Sequence, residues 1–218
     1  MTTKNAVPLS DAPRLIGTPP ASIVLASASI TRRRLLEWAG VPHIVEPSRV
    51  DEDEIKLSMR AEQATGVEIV EVLAEAKAVY VSRKHPASIV LGADQVLESN
   101  GTTFDKPVDR ADALAQLQSL RGVKHQLISY AVIVRGGARV WQGVDRATLE
   151  IRADATDEFF NAYLDAAGND AFNGPGGYRI ESLGAQLFSK VDGSHFTILG
   201  LPMLALLDYL RANGVLDT

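Results

Sequence analysis

The 218-residue chain is 46% hydrophobic, enough apolar material for one sizeable core or for two lobes sharing a sheet. With 22 basic against 27 acidic side chains its formal charge is −5, so nothing draws it as a whole to a nucleic-acid backbone or an anionic membrane, and an anionic substrate must be held by a local basic site. It has no cysteine, which excludes disulfides, thiolate chemistry and cysteine-ligated zinc and fits a reducing, cytoplasmic compartment.

Residues 1–21 contain Asp11 and four prolines (Pro8, Pro13, Pro19, Pro20) with no long apolar stretch, and read as a flexible leader before a single domain over 22–218. No run reaches the roughly 18–20 apolar residues of a membrane-spanning helix. Residues 22–27 (SIVLAS) predict a short buried strand, with Ser29 or Thr31 capping a helix that Gly40 ends. Residues 41–45 predict a second strand, and Pro47 with the acidic run 51–54 predicts a loop. One amphipathic helix is expected over about 59–83, with Gly66 as an interruption. Residues 88–97 predict a strand, 99–101 a turn, and Asp109 a cap for a helix through Leu120 that stops at Gly122. Two long strands flank the turn Gly136-Gly137, and a helix follows at about 157–167. The glycine-rich segment 173–178 then introduces two short strands (YRIES and GAQLFSKV) turning near Asp192-Gly193, and a last helix starts near Leu201-Pro202 and runs to Ala212. Helices interleaved with single strands and hairpins predict an α/β fold with a mixed central β-sheet flanked by helices.

Five segments carry residues suited to chemistry. The segment 27–34 (SASITRRR) puts hydroxyls and guanidinium groups where a strand ends and a helix begins, a place where free amides and the helix dipole favour an anion. A plain Ser/Thr cap before a solvated basic face accounts for it too, although three arginines in a first turn oppose the helix dipole unless an anion relieves them. Asp94 lies inside an apolar strand, so it must be paired, bind a metal or open onto a cleft; bonding to nearby amides is the bland alternative. Gly92 and Ala93 leave room for a ligand beside it. Lys77 sits at the edge of an apolar helix face, where snorkelling is as good an explanation as function. Lys106, before Pro107, is alone an ordinary surface lysine. Glu52 in the run Asp51-Glu52-Asp53-Glu54 reads as part of a solvated loop or as an oxygen ligand for a hard cation. His43, His85, His125 and His195 show no metal-binding spacing.

Taken together these segments resemble the Maf family over about 22–210. The resemblance rests on Ser27, Ser29 and Arg32 after the first strand, Glu52, Lys77, the block Gly92-Ala93-Asp94, and Lys106-Pro107. It also rests on Leu120-Arg121-Gly122 with His125, and on Gly193-Ser194 followed by Gly200-Leu201-Pro202. It implies an inosine triphosphatase-like α/β fold with a nucleotide cleft between two lobes. It further implies hydrolysis of a nucleoside triphosphate to a monophosphate and pyrophosphate with a divalent cation, Mg²⁺ or Mn²⁺. By the same resemblance Asp94 activates water, Glu52 and Asp94 hold the metal, Lys77, Lys106 and Arg32 neutralise phosphate charge, and Ser27 and Ser29 bind phosphate oxygens. Members are often dimeric, so a homodimer is an expectation without an identifiable interface. Thr31, Gln95 and Glu181 stand where the family's branches differ; Gln95 and Glu181 look like the branch acting on 7-methyl-GTP, while Thr31 departs from both. A carboxylate at 181 suits the two donors on a guanine edge, and the added charge of an N7-methylated ring. A dTTP or UTP pyrophosphatase, and a nucleotide-binding regulator of septum formation, are the alternatives.

Overall fold

The computed structural model describes residues 22–217, so the leader read at 1–21 lies outside the described residues. The apolar run Ile23–Leu25 (β1) has a parallel neighbour on each side, His43–Val45 (β2) and the beginning of Ile89–Ser99 (β3). The remaining strands run antiparallel to their neighbours: Thr102–Phe104 (β4), Lys124–Arg135 (β5), Ala138–Ile151 (β6) and Phe188–Asp192 (β7). The order is β2-β1-β3-β5-β6-β7 with β4 on β3, a mixed sheet of seven strands. Seven helices flank it, matching the fold class read from the sequence. They are Ile30–Trp38 (α1), Glu52–Ala61 (α2), Gly66–Ser82 (α3), Arg110–Leu120 (α4), Asp157–Ala167 (α5), His195–Ile198 (α6) and Met203–Ala212 (α7). No helix among the described residues is long and apolar enough to cross a membrane.

Strand β3 organises the molecule because its two edges are unequal. On one edge β5 pairs with it along nearly its whole length. On the other, β1 pairs only as far as Leu91 and β4 only from Leu97, which leaves residues 92–96 without a strand neighbour. A gap of this kind, where chain connections diverge, is where α/β sheets hold ligands. Side chains alternate across a strand, so Val90 and Val96 join the core under α3, while Leu91 and Ala93 join the core formed with α1 and α7. Beyond the gap, Leu97 enters a third core with Leu117, Leu149 and Phe160.

Two tight turns follow from their residues. Asn100-Gly101 and Gly136-Gly137 all have positive φ, from 50° to 82°, the geometry that closes a two-residue hairpin with the twist of its strands. The first of these hairpins adds β4, which the sequence reading left as a bare turn.

Three sequence expectations are corrected. The acidic run is not a loop: Asp51 caps α2 by accepting from the Glu54 amide, and its acids fill a first turn where the helix dipole favours them. The single helix expected over 59–83 is two, separated where Gln63 takes φ 58° and Thr65 starts α3 with a capping box to Glu68. Residues 178–182 are not a strand. Ser182 bonds back to the Arg179 carbonyl, and a Cβ on Gly184 would lie 2.3 Å from that same oxygen, so the chain folds tightly on itself before β7.

Gly92 decides how close α3 lies to the sheet. A Cβ there would stand 2.1 Å from the Ala74 carbonyl and 2.8 Å from the Ala78 side chain, so the room that Gly92 leaves is taken by helix backbone and not by a ligand. Gly92→Ala should therefore destabilise the protein by about 1–3 kcal/mol or more, as overpacking of a well-filled core does. A denaturation midpoint equal to that of the parent chain would contradict this packing.

His125 is buried, with Nε2 2.9 Å from the Tyr178 hydroxyl. Burial pushes its pKa down to about 4, opposed only in part by the Val123 carbonyl. The folded ring thus refuses a proton that the unfolded chain accepts below about 6.5. Stability should fall as pH drops from about 6.5 towards 4, by on the order of 3 kcal/mol, and level off below. An NMR titration of the folded protein should show this imidazole neutral at pH 5; protonation near 6.5 would contradict the assignment.

Candidate active site

The gap beside β3 is filled from two sides. From α1, the buried Arg32 donates through Nη1 to the Ala93 carbonyl at 2.9 Å and to Ser27 Oγ at 3.3 Å, and through Nε to the Gly200 carbonyl at 3.0 Å. Three oxygens from three separate parts of the chain thereby fix the guanidinium. Gly200 has φ 106°, and a Cβ there would stand 3.1 Å from Arg32 Nε, so this approach depends on glycine. Ser29 caps α1 by accepting from the Arg32 amide, and its own amide donates to Ser27 Oγ. Only the first arginine of the cluster turns inward. Arg33 pairs with Glu37 on the exposed face, and Arg34 is exposed.

From the opposite side α3 brings Lys77, whose buried ammonium lies 2.8 Å from Asp94 Oδ1 and 2.9 Å from Glu52 Oε2. The cation is shared between an acid of the central strand and an acid in the first turn of α2. No hydrogen bond among the described residues engages Asp94 Oδ2 or Glu52 Oε1. Lys106, exposed on the rim just after β4, makes no ion pair among the described residues. Its surroundings disfavour its charge and the Arg32 and Lys77 cations repel it; Glu52 and Asp94 pull the other way, and its pKa is lowered. Burial likewise lowers the Arg32 pKa against the attraction of Asp94 and Glu52.

Asp94 and Gln95 point to opposite faces of the sheet. Gln95 donates its amide nitrogen to Ser129 Oγ at 2.9 Å and to the Thr197 and Ile198 carbonyls at 2.8 and 3.1 Å, which fixes the amide's orientation and leaves its carbonyl oxygen as the group to offer. Also at the cleft, Arg179 binds one oxygen of Glu181 with two donors, Nε at 2.9 Å and Nη2 at 2.5 Å.

All ten residues singled out from the sequence line one cleft of about 340 Å³: Ser27, Ser29, Thr31, Arg32, Glu52, Lys77, Asp94, Gln95, Lys106 and Glu181. None of the four histidines does. Lys56, Arg60, Asp105 and Arg179, which the sequence pattern does not single out, also line it. For Lys56 and Arg60 the signal is the four-residue spacing from Glu52, invisible when 51–54 is read as a loop and the helix is started near 59; Asp105 and Arg179 carry no such signal. Six cationic side chains face four carboxylates in this cleft, an excess of positive charge in a chain that is negative as a whole. Such a pocket selects a polyanion. Among the described residues no group of three or more His, Asp or Glu side chains gathers into a metal cage. The pair Glu52 and Asp94 nevertheless suits Mg²⁺ or a similar cation, which typically takes one or two carboxylates and completes its shell with substrate phosphates and water.

Comparison with known proteins agrees in extent and kind. The profile of the family described as Maf-like protein matches residues 22–213. The chain is 48% identical over 193 residues to a protein of Paramagnetospirillum magneticum named nucleoside triphosphate pyrophosphatase, covering 88% of this chain and 99% of that one. Proteins of the same name from Roseobacter denitrificans and Ruegeria pomeroyi are 44% and 42% identical, over 89% and 90% of this chain and 98% of each relative.

Removing the Lys77 ammonium leaves Asp94 buried and facing Glu52 with no cation between them. Lys77→Met should cost about 3 kcal/mol, the low end for breaking a buried pair because Glu52 is partly exposed. Combining it with Asp94→Asn should recover part of that loss. Strict additivity of the two substitutions in denaturant unfolding would mean that the pair is not coupled.

Proposed function

The chain belongs to the Maf-like protein family, and on that footing we propose that it hydrolyses a nucleoside triphosphate to the monophosphate and pyrophosphate at the gap in β3. The observation that carries the reading is the Lys77 ammonium held between Asp94 and Glu52, in the same cleft as the pinned guanidinium of Arg32. Phosphoryl transfer asks little covalent chemistry of a protein; it asks for positioning and for charge around the phosphates.

Each side chain then has a task its geometry permits. Asp94, with Oδ1 bonded to Lys77, keeps Oδ2 to accept a proton from the water that attacks the α-phosphorus. Lys77 holds that carboxylate in one orientation and adds positive charge next to the reacting phosphate. Arg32 and Lys106 balance the charge that develops on the phosphate oxygens as the α–β bridge breaks and pyrophosphate leaves. Ser27 and Ser29, at the start of α1, offer hydroxyls to phosphate oxygens beside a helix N-terminus. Glu52 and Asp94 would hold a divalent cation, which when bound supplies further neutralisation of the phosphates.

The base is read by Gln95 and Glu181. Gln95 offers a carbonyl oxygen and Glu181 one carboxylate oxygen not taken by Arg179, two acceptors lining the same cleft. Guanine presents adjacent donors on its N1 and 2-amino edge, whereas uracil and thymine present a single donor between two acceptors. This pairing, with the negative charge of Glu181 facing a methylated, cationic ring, supports 7-methyl-GTP as the favoured substrate.

The test is turnover of a panel containing 7-methyl-GTP, GTP, dTTP and UTP, with pyrophosphate as the readout. The highest kcat/KM is expected for 7-methyl-GTP, and Asp94→Asn should keep nucleotide affinity while losing about 10²–10⁴ in turnover. Preference for the pyrimidines with no 7-methyl-GTP activity would reject the base assignment. Nucleotide binding without pyrophosphate release would point instead to a regulatory role.

A further inference from the structure

Helix α2 buries none of its residues, yet it turns a charged stripe to the cleft. Glu52, Lys56 and Arg60 lie four residues apart on one face, so Lys56 and Arg60 stand one and two turns beyond Glu52, about 6 and 12 Å along the axis. Both cations converge on a single carboxylate after β4: Lys56 Nζ lies 2.9 Å from Asp105 Oδ1 and Arg60 Nη2 lies 2.8 Å from Asp105 Oδ2. Burial is the largest single influence on Lys56 and works against its charge, but the bond and charge of Asp105 together with the charges of Asp94 and Glu52 outweigh it, and the pKa is raised. The Asp105 carboxylate is held below its ordinary range by the same two cations, against the cost of its own burial.

Ion pairs as exposed as these contribute little to folding, so the fold gains little by crowding two cations round one acid at the mouth of a cleft. A carboxylate with each oxygen held by a separate cation has the shape and charge of a phosphate group's outer edge. Lys56 and Arg60 continue along α2 beyond Glu52, and both line the same cleft as Asp94 and Lys77, within which a polyphosphate would extend. We propose that Lys56 and Arg60 form the seat of the terminal phosphates and the departing pyrophosphate, and that Asp105 fills this seat until substrate displaces it. The inference rests on the pyrophosphatase reading and adds to it a set of residues that ranks triphosphates above shorter nucleotides.

The test is calorimetric titration of the full chain with inorganic pyrophosphate and, separately, with GMP, in one magnesium buffer. The double variant Lys56→Gln/Arg60→Gln should bind pyrophosphate at least about tenfold more weakly, as loss of charged hydrogen bonds implies, with GMP affinity unchanged. Asp105→Asn should bind pyrophosphate more tightly than the parent chain. Thermal unfolding of each variant identifies any that fails to fold. The proposal is overturned if the parent binds no pyrophosphate, if the double variant keeps its affinity or loses pyrophosphate and GMP alike, or if Asp105→Asn weakens binding as the double variant does. Failure of the pyrophosphatase reading looks different: the parent chain would bind pyrophosphate in this way but release none from any triphosphate.

Discussion

The ammonium of Lys77 between Asp94 and Glu52 is the contact on which the cleft depends. It joins three elements, α3, β3 and α2, and two of its members are buried. Without the cation, Asp94 would face the cost of a lone charge inside a protein. Without the acids, Lys77 would have the same difficulty. The arrangement is possible because α3 touches the sheet at Gly92, where no Cβ keeps the two backbones apart. The close approach of helix to strand therefore comes first, and the charge triad is built on it.

The second constraint is topological. A parallel strand pairs with the first part of β3 and a short antiparallel one with its end, and neither covers its middle. Backbone groups exposed in such a gap need partners. Arg32 supplies one to the Ala93 carbonyl while it also bonds the Gly200 carbonyl before α7. The same side chain therefore completes the sheet and charges the cleft. Asp94 and Gln95 project to opposite faces at this gap, so the proposed function gives one strand a side chain for the phosphates and the next for the base.

Much of this was legible in the residues. Buried strands announced themselves as short apolar runs, and Ser29, Asp109 and the paired glycines marked helix starts and a hairpin. Asp94 stood out as a charge inside an apolar strand. That Lys77 would meet it could not be read, because the two are 17 positions apart on different elements and their meeting depends on α3 lying on Gly92. The division of α2 from α3 was written in Thr65 and Glu68, a capping box next to the Gly66 interruption, which alone does not separate a broken helix from two helices. Lys56 and Arg60 were lost with it, since only a helix puts them on one face with Glu52. The segment around Glu181 alternates apolar and polar residues as a strand does, yet the contact of Gly184 with the Arg179 backbone folds it into tight turns. Local pattern cannot report a contact of that kind.

The proposed hydrolysis requires water to attack the α-phosphorus beside Asp94 and Lys77. Hydrolysis of the best substrate in ¹⁸O-labelled water, followed by mass spectrometry of both products, reads this directly. The account predicts the label in the nucleoside monophosphate and none in the pyrophosphate. Label in the pyrophosphate, or release of inorganic phosphate with a nucleoside diphosphate, would contradict it.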